Sequence, residues 1–183
     1  MRHMRRALVG VLLTVAGAAS AHAEGLYVGG SLGQSFINAD WSTVNATVDG
    51  SDFAWKLYGG FTLGRFLAVE TGYLDLGTPQ TSQGSSSASQ DLWGWDACGL
   101  AKLNLGPMDL YGRYGFVAWR STLSAAGSNA GVVTIKDDGT SRVIGVGAAI
   151  VLPKLTLRAE YEHFTIEEAG TPDLLTVGAT ISF

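Results

Sequence analysis

Ionisable side chains are scarce: Asp, Glu, Lys and Arg make up 15% of the 183 residues. Eight of them stand out as a set inside alternating segments that hold few other charges. They are Lys56, Lys102, Arg113 and Arg158 against Glu70, Asp96, Glu160 and Glu162. Four cations and four carboxylates suit a mutually compensating network, because buried charges are tolerated only when paired and hydrogen-bonded. Glu70 is expected to pair with Arg158 or Lys102. Neutralising Glu70 alone should then destabilise the fold or open a leak.

Other constellations carry less. Nucleophilic acyl transfer needs a hydroxyl or thiol nucleophile, a His base and an acid that orients the base. Beyond residue 23 the sole histidine is His163, in Glu162-His163-Phe164-Thr165, with Glu167 and Glu168 following. Thr165 is a doubtful nucleophile, so no catalytic residue is assigned. Asp40, Asp49, Asp52, Asp137, Asp138, Glu167, Glu168 and Asp173 could approach Ca²⁺ or Mg²⁺, but no spacing matches a calcium loop. They read as solvated loop residues, and no metal is expected. Cys98 is the only cysteine. With no partner it reads as a small inward side chain. No glycine-rich phosphate loop runs from a strand into a helix, so no cofactor is expected.

The elements that must hold the eight charges alternate with period two, the mark of strands whose faces meet different environments. The expected segments are about Leu26–Phe36, Phe53–Leu63, Phe66–Leu76, Leu92–Leu105, Met108–Trp119, Arg142–Leu152, Leu155–Phe164 and Leu174–Phe183. In the last, Leu175, Val177, Ala179, Ile181 and Phe183 form an apolar parity opposite Leu174, Thr176, Gly178, Thr180 and Ser182. The charged residues lie on the small, glycine-rich parity of their segments. Connections alternate in length. Gly64-Arg65, Gly106-Pro107 and Pro153 are tight, whereas Asn38–Ser51, Gly77–Gln90, Arg120–Asp138 and Glu167–Asp173 read as loops. Long connections at one end and short ones at the other are the sidedness of an eight-stranded antiparallel up-and-down transmembrane β-barrel.

The start of the chain sets the compartment. Arg2, His3, Arg5 and Arg6 precede an uncharged apolar run over Ala7–Ala19 and the small-x-small site Ala21-His22-Ala23. This is the layout of a cleaved secretory signal peptide over residues 1–23, leaving a barrel domain over 24–183. The whole chain has 12 Lys+Arg and 16 Asp+Glu. Loss of Arg2, Arg5 and Arg6 leaves 9 against 16, an acidic balance that speaks against nucleic acid as a partner. No later run is long and apolar enough for a membrane helix, so a membrane-spanning reading requires strands. The apolar parity, with Trp55, Tyr73, Trp93, Trp95 and Tyr161 near strand ends, is assigned to lipid and the charged parity to the lumen. Eight strands enclose a space that side chains fill, so the lumen is expected to be a packed polar core.

Several short pieces, in order, resemble the OmpA-like small barrels of Gram-negative bacteria, with the length of the OmpX type. They are Leu-Tyr-Val-Gly-Gly-Ser-Leu-Gly, Trp-Lys-Leu-Tyr-Gly-Gly-Phe, Leu-Ala-Val-Glu-Thr-Gly-Tyr-Leu-Asp-Leu-Gly, Leu-Tyr-Gly-Arg-Tyr-Gly-Phe, Leu-Arg-Ala-Glu-Tyr-Glu and the final Phe183. The likeness covers the whole of residues 24–183. It implies a location in the cell outer membrane and a lumen blocked by a charged cluster. It also implies lipid and lipopolysaccharide neighbours and delivery by the barrel assembly machinery, with Phe183 as assembly signal. The expected function is structural or surface-interacting, by a non-enzymatic monomer. The alternatives are a narrow porin-like channel and, less favoured, a lipid A-modifying enzyme. For the last, the His-x-Ser of the deacylase family is absent, Thr165 standing in the serine's place.

Overall fold

The computed structural model describes residues 25–41, 46–78, 80–83, 86–127, 130–166 and 171–183. The leader expected over Met1–Ala23 lies outside the described residues, as do Glu167 and Glu168. The strands are β1 (Leu26–Trp41), β2 (Ala46–Leu63), β3 (Leu67–Asp75), β4 (Gln80–Gln83), β5 (Ser86–Asn104), β6 (Met108–Gly127), β7 (Ala130–Val151), β8 (Leu155–Thr165) and β9 (Asp173–Ser182). All pair antiparallel. β1 pairs with both β2 and β9, and β3 pairs with β5, so eight strands close into a barrel. The short β4 only extends the ladder along β5.

Closure removes the sheet edges that an open sheet would leave unpaired. Leu32 of β1 stands between Trp55 of β2 and Val177 of β9. The Phe183 N–H donates to the Leu26 carbonyl at 3.0 Å. Parity then decides what each side chain meets. Leu57 and Val177 are 58% and 65% exposed on the outer wall, whereas Lys56 and Leu174 are fully buried inside. A continuous belt of exposed Leu, Val, Ile and Phe therefore encircles the barrel.

Tight turns close one end. At Gly106-Pro107 the Leu105 N–H donates to the Met108 carbonyl at 2.7 Å. Gly106 holds φ +79°, where a Cβ would be strained. Leu152 donates to the Leu155 carbonyl at 2.9 Å in the corresponding turn around Pro153.

At the other end the structure corrects the expected loops. Arg120–Asp138, read as the longest loop, is largely the upper part of β6 and β7, with Arg120 opposite Asp138 and Leu123 opposite Ile135. Asn38 faces Asp49 in the β1–β2 ladder. The serine-rich stretch contains β4, paired with Ser86–Ser89. The reason is physical. Above the bilayer a strand no longer needs apolar alternation, but pairing still satisfies its N–H and C=O groups. The ladders therefore outlast the pattern that reveals them.

The extension is uneven. The β7–β8 ladder stops at Arg142 opposite Thr165, while the β6–β7 ladder continues to Gly127 opposite Ala130. Among the described residues, Ala130–Ser141 of β7 thus pairs along one edge only.

Candidate functional site

The lumen holds three layers. In the middle, Arg113 projects from β6 and meets four carboxylates. Its guanidinium nitrogens lie 2.7 Å from Asp96 Oδ2, 2.8 Å from Glu162 Oε1, 3.5 Å from Glu70 Oε1 and 3.6 Å from Glu160 Oε1. Lys56 Nζ bridges Asp96 at 2.7 Å and Glu162 at 3.0 Å. Arg158 Nη1 sits 2.7 Å from Glu70 Oε2, and its Nη2 pairs closely with Glu160 Oε1. Tyrosines complete the shell. The Tyr27 hydroxyl donates to Glu70 at 3.2 Å, and the Tyr111 hydroxyl donates to Glu160 at 2.8 Å. The Arg158 guanidinium lies 4.5 Å from the Tyr58 ring centroid. Three cations and four carboxylates thus interlock in a space almost closed to solvent, with Arg158 reaching the short-turn mouth.

Lys102 does not join these ion pairs. It lies on the same parity but nearer the short-turn mouth, with its ammonium 5.6 Å from the Tyr27 ring centroid. There water can solvate it, so no carboxylate is needed. Lys102, Arg158, Tyr27, Tyr111, Asp109 and Thr180 help line a cavity of about 160 Å³ at that mouth. The vestibule ends on the charge network.

The third layer was not read from the sequence. Towards the long hairpins the interior is apolar: Ala54, Leu74, Leu76, Leu92, Val117, Val143, Phe164, Ile166 and Leu174 are all buried. These residues share the inward parity with the charges. Trp119 joins them, with its indole N–H donating to Ser141 Oγ at 2.9 Å.

Packing in the middle layer depends on absent side chains. A Cβ built on Gly147 would overlap the Tyr111 ring. Gly112 faces outward, and its nearest such neighbour is 3.9 Å away. Gly147→Val is therefore expected to displace Tyr111 from Glu160 and cost about 1–3 kcal/mol, as overpacked cores do. Gly112→Val should be nearly neutral. Urea titrations of both variants in lipid vesicles would decide it; equal midpoints would show that the Tyr111 site can relax.

On the outer wall, Tyr73 packs against Trp55, Trp93 and Trp95, with ring centroids 5.3, 5.9 and 5.3 Å apart. Across the barrel, Asp173 Oδ1 accepts from the Tyr161 hydroxyl at 2.8 Å and lies 2.7 Å from His163 Nδ1. This arrangement orients an imidazole, which is the supporting half of a nucleophilic triad. The residue at the nucleophile's place is Thr165. Phe183, the remaining singled-out residue, is 68% exposed beside the start of β1.

Comparisons with known proteins agree on architecture. The family model for the OmpA-like transmembrane domain matches residues 21–174. Neisserial surface protein A (NspA) superposes with a TM-score of 0.63 at 16% identity, covering 88% of this chain and 99% of that one. Ail, the attachment invasion locus protein of Yersinia pestis, solved in complex with the heparin analogue sucrose octasulfate, gives 0.60 at 14%, covering 87% and 99%. The N-terminal β-barrel domain of Pseudomonas aeruginosa OprF gives 0.55 at 12%, covering 88% and 100%. The comparison with curated proteins gives no match. At these identities the solved structures speak for the fold, and with the family match they indicate the outer membrane as the location.

Proposed function

The chain belongs to the OmpA-like transmembrane domain family, and on that premise we propose that it is a plugged outer-membrane barrel with a structural or surface-interacting role. The observation that carries the reading is the filling of the lumen. An ion-paired layer around Arg113 and an apolar layer around Leu74, Leu92, Phe164 and Leu174 lie in series across the interior. Neither layer favours a hydrated ion. An ion would have to compete with paired charges in the first and shed its water in the second.

On this reading residues 1–23 are a removed leader and 24–183 the barrel. The tight turns face the periplasm, and the β-extended hairpins face outward. Its neighbours are outer-membrane lipids, lipopolysaccharide included. β9, with its apolar parity ending at Phe183, is the strand that the barrel assembly machinery would take up. The barrel works as a monomer and binds no nucleic acid, consistent with its acidic balance.

The test is ion conductance of the protein, purified from outer membranes, in planar lipid bilayers. A silent membrane is expected. Steady single-channel currents would overturn the plug and move the narrow-pore reading to first place.

The enzymatic alternative draws on the His163–Asp173 pair. Since Thr165 is a poor replacement for a serine nucleophile, lipid A mass spectra from cells with and without the protein should match. A deacylated lipid A species that disappears in His163→Gln cells would reverse this.

A further inference from the structure

The vestibule at the short-turn mouth holds charges that the lumen network does not use. Lys102 and Asp109 both line it. Neither joins an ion pair among the described residues. Both are half-buried and project inward from neighbouring strands. Lys102 of β5 lies opposite Tyr111 of β6, and Asp109 of β6 lies opposite Asn104 of β5. Each is steadied by an uncharged neighbour. The Lys102 ammonium sits over the Tyr27 ring. The Asn104 side-chain amide donates to Asp109 Oδ1 at 2.7 Å. Asp109 Oδ2 keeps its lone pairs for another donor.

Arg158 adds a third group. It is buried but lines the same cavity. Its Nε, Nη1 and Nη2 donate to Tyr111, Glu70 and Glu160. A guanidinium carries five N–H donors, so donors remain beyond these three. Thr62, Thr156 and Ser182, at the ends of β2, β8 and β9, add hydroxyls to the lining.

We propose that this vestibule is a binding site for a small zwitterion of the α-amino acid type. The ligand's carboxylate accepts from Lys102 and Arg158, and its ammonium donates to Asp109. The mixed charge of the lining carries the assignment. A simple anion drawn to Lys102 would meet the Asp109 carboxylate. A simple cation drawn to Asp109 would meet Lys102 and Arg158. A molecule bearing both charges a short distance apart satisfies both and leaves the charge of the pocket unchanged. Charge-assisted hydrogen bonds are the strong ones, and two of opposite polarity also fix the ligand's direction. Size agrees with charge. The cavity measures about 160 Å³. Water takes about 30 Å³ per molecule, so the space suits a ligand of about five or six heavy atoms, such as glycine or alanine. The floor of the vestibule is the ion-paired layer, so binding here needs no open path through the lumen.

The test is a titration of the ¹⁵N-labelled protein, purified from outer membranes and held in lipid nanodiscs, followed by backbone amide NMR at constant ionic strength. The probes are glycine, acetate and glycinamide. Acetate keeps the carboxylate and lacks the ammonium; glycinamide keeps the ammonium and lacks the carboxylate. Glycine should give saturable shifts centred on Lys102, Asp109 and Tyr111. Loss of a hydrogen bond between charged groups weakens binding about tenfold. Acetate and glycinamide should therefore each bind about tenfold more weakly than glycine. Lys102→Met and Asp109→Asn should each weaken glycine about tenfold as well, and Asp109→Asn should leave acetate no weaker than before. Acetate binding as tightly as glycine would overturn the proposal, because the vestibule would then seat any small anion. Shifts that never saturate, or that fall outside the vestibule, would overturn it too. The comparison of the three probes on the wild-type protein decides the matter even if a variant fails to fold.

Discussion

Arg113→Met is expected to unfold at much lower urea than the wild-type barrel. The substitution fits the space but removes the one cation that reaches all four lumen carboxylates. Asp96, Glu70, Glu160 and Glu162 would then share only Lys56 and Arg158. Breaking a buried pair by deleting one partner costs about 3–5 kcal/mol, because the remaining charge is stranded without water. Here two carboxylates lose a contact under 3 Å, so the upper part of that range applies. The control is Arg113→Met combined with Glu162→Gln. It removes one charge of each sign and should recover part of the loss. Urea titrations in vesicles, read by the gel-mobility difference between folded and unfolded barrel, would measure both. A single variant as stable as wild type would mean that the carboxylates find water or protons, and the network would then be no stabilising unit.

The second large effect concerns conductance, and it is non-additive. Two unlike barriers lie in series. Arg158→Gln loosens the charged layer by releasing Glu70 and Glu160, yet Leu74, Leu92, Phe164 and Leu174 still exclude water above it. Leu92→Asn with Leu174→Asn hydrates the apolar layer but leaves the ion pairs below. Each change alone should leave the bilayer silent, and the combined variant should conduct. Glu70→Gln, which removes the charge that pairs with Arg158 and weakens the acceptor of Tyr27, should likewise lower stability without a leak. Currents from Arg158→Gln alone would show that the apolar layer is no seal.

Much of this fold could be read from residue parity. Leu175, Val177 and Ala179 against Thr176, Gly178 and Thr180 set the facing of β9, and the same rule separated Lys56 and Glu70 from Leu57 and Val69. Which charges touch could not be read that way. Glu70 and Arg158 lie on β3 and β8, strands that are not neighbours, and they meet only across the lumen. That encounter depends on how far each strand is staggered around the barrel, a quantity set by every ladder together. Lys102 shows the same limit, since parity places it inside but not at which height. The apolar layer was hidden for a different reason. Leu74, Leu92 and Leu174 look like lapses in a polar pattern when each strand is read alone. Only closure gathers them into one cluster. The β-extended hairpins are not legible in the sequence because Ser, Thr, Gly and charged residues break up the strict apolar alternation once a strand has left the lipid.

The half-paired upper stretch of β7 also bears on how the protein behaves outside its membrane. Val132, Val133, Thr134 and Ile135 are strong strand formers beside an edge whose backbone groups have no strand partner among the described residues. Such an edge templates further strands and can seed cross-β aggregates. Lys136, Asp137, Asp138 and Gly139 follow at once, and charges and glycine at an edge oppose such stacking. They act as gatekeepers. Their neutralisation would shorten the shelf life of the concentrated protein well before it altered the barrel itself.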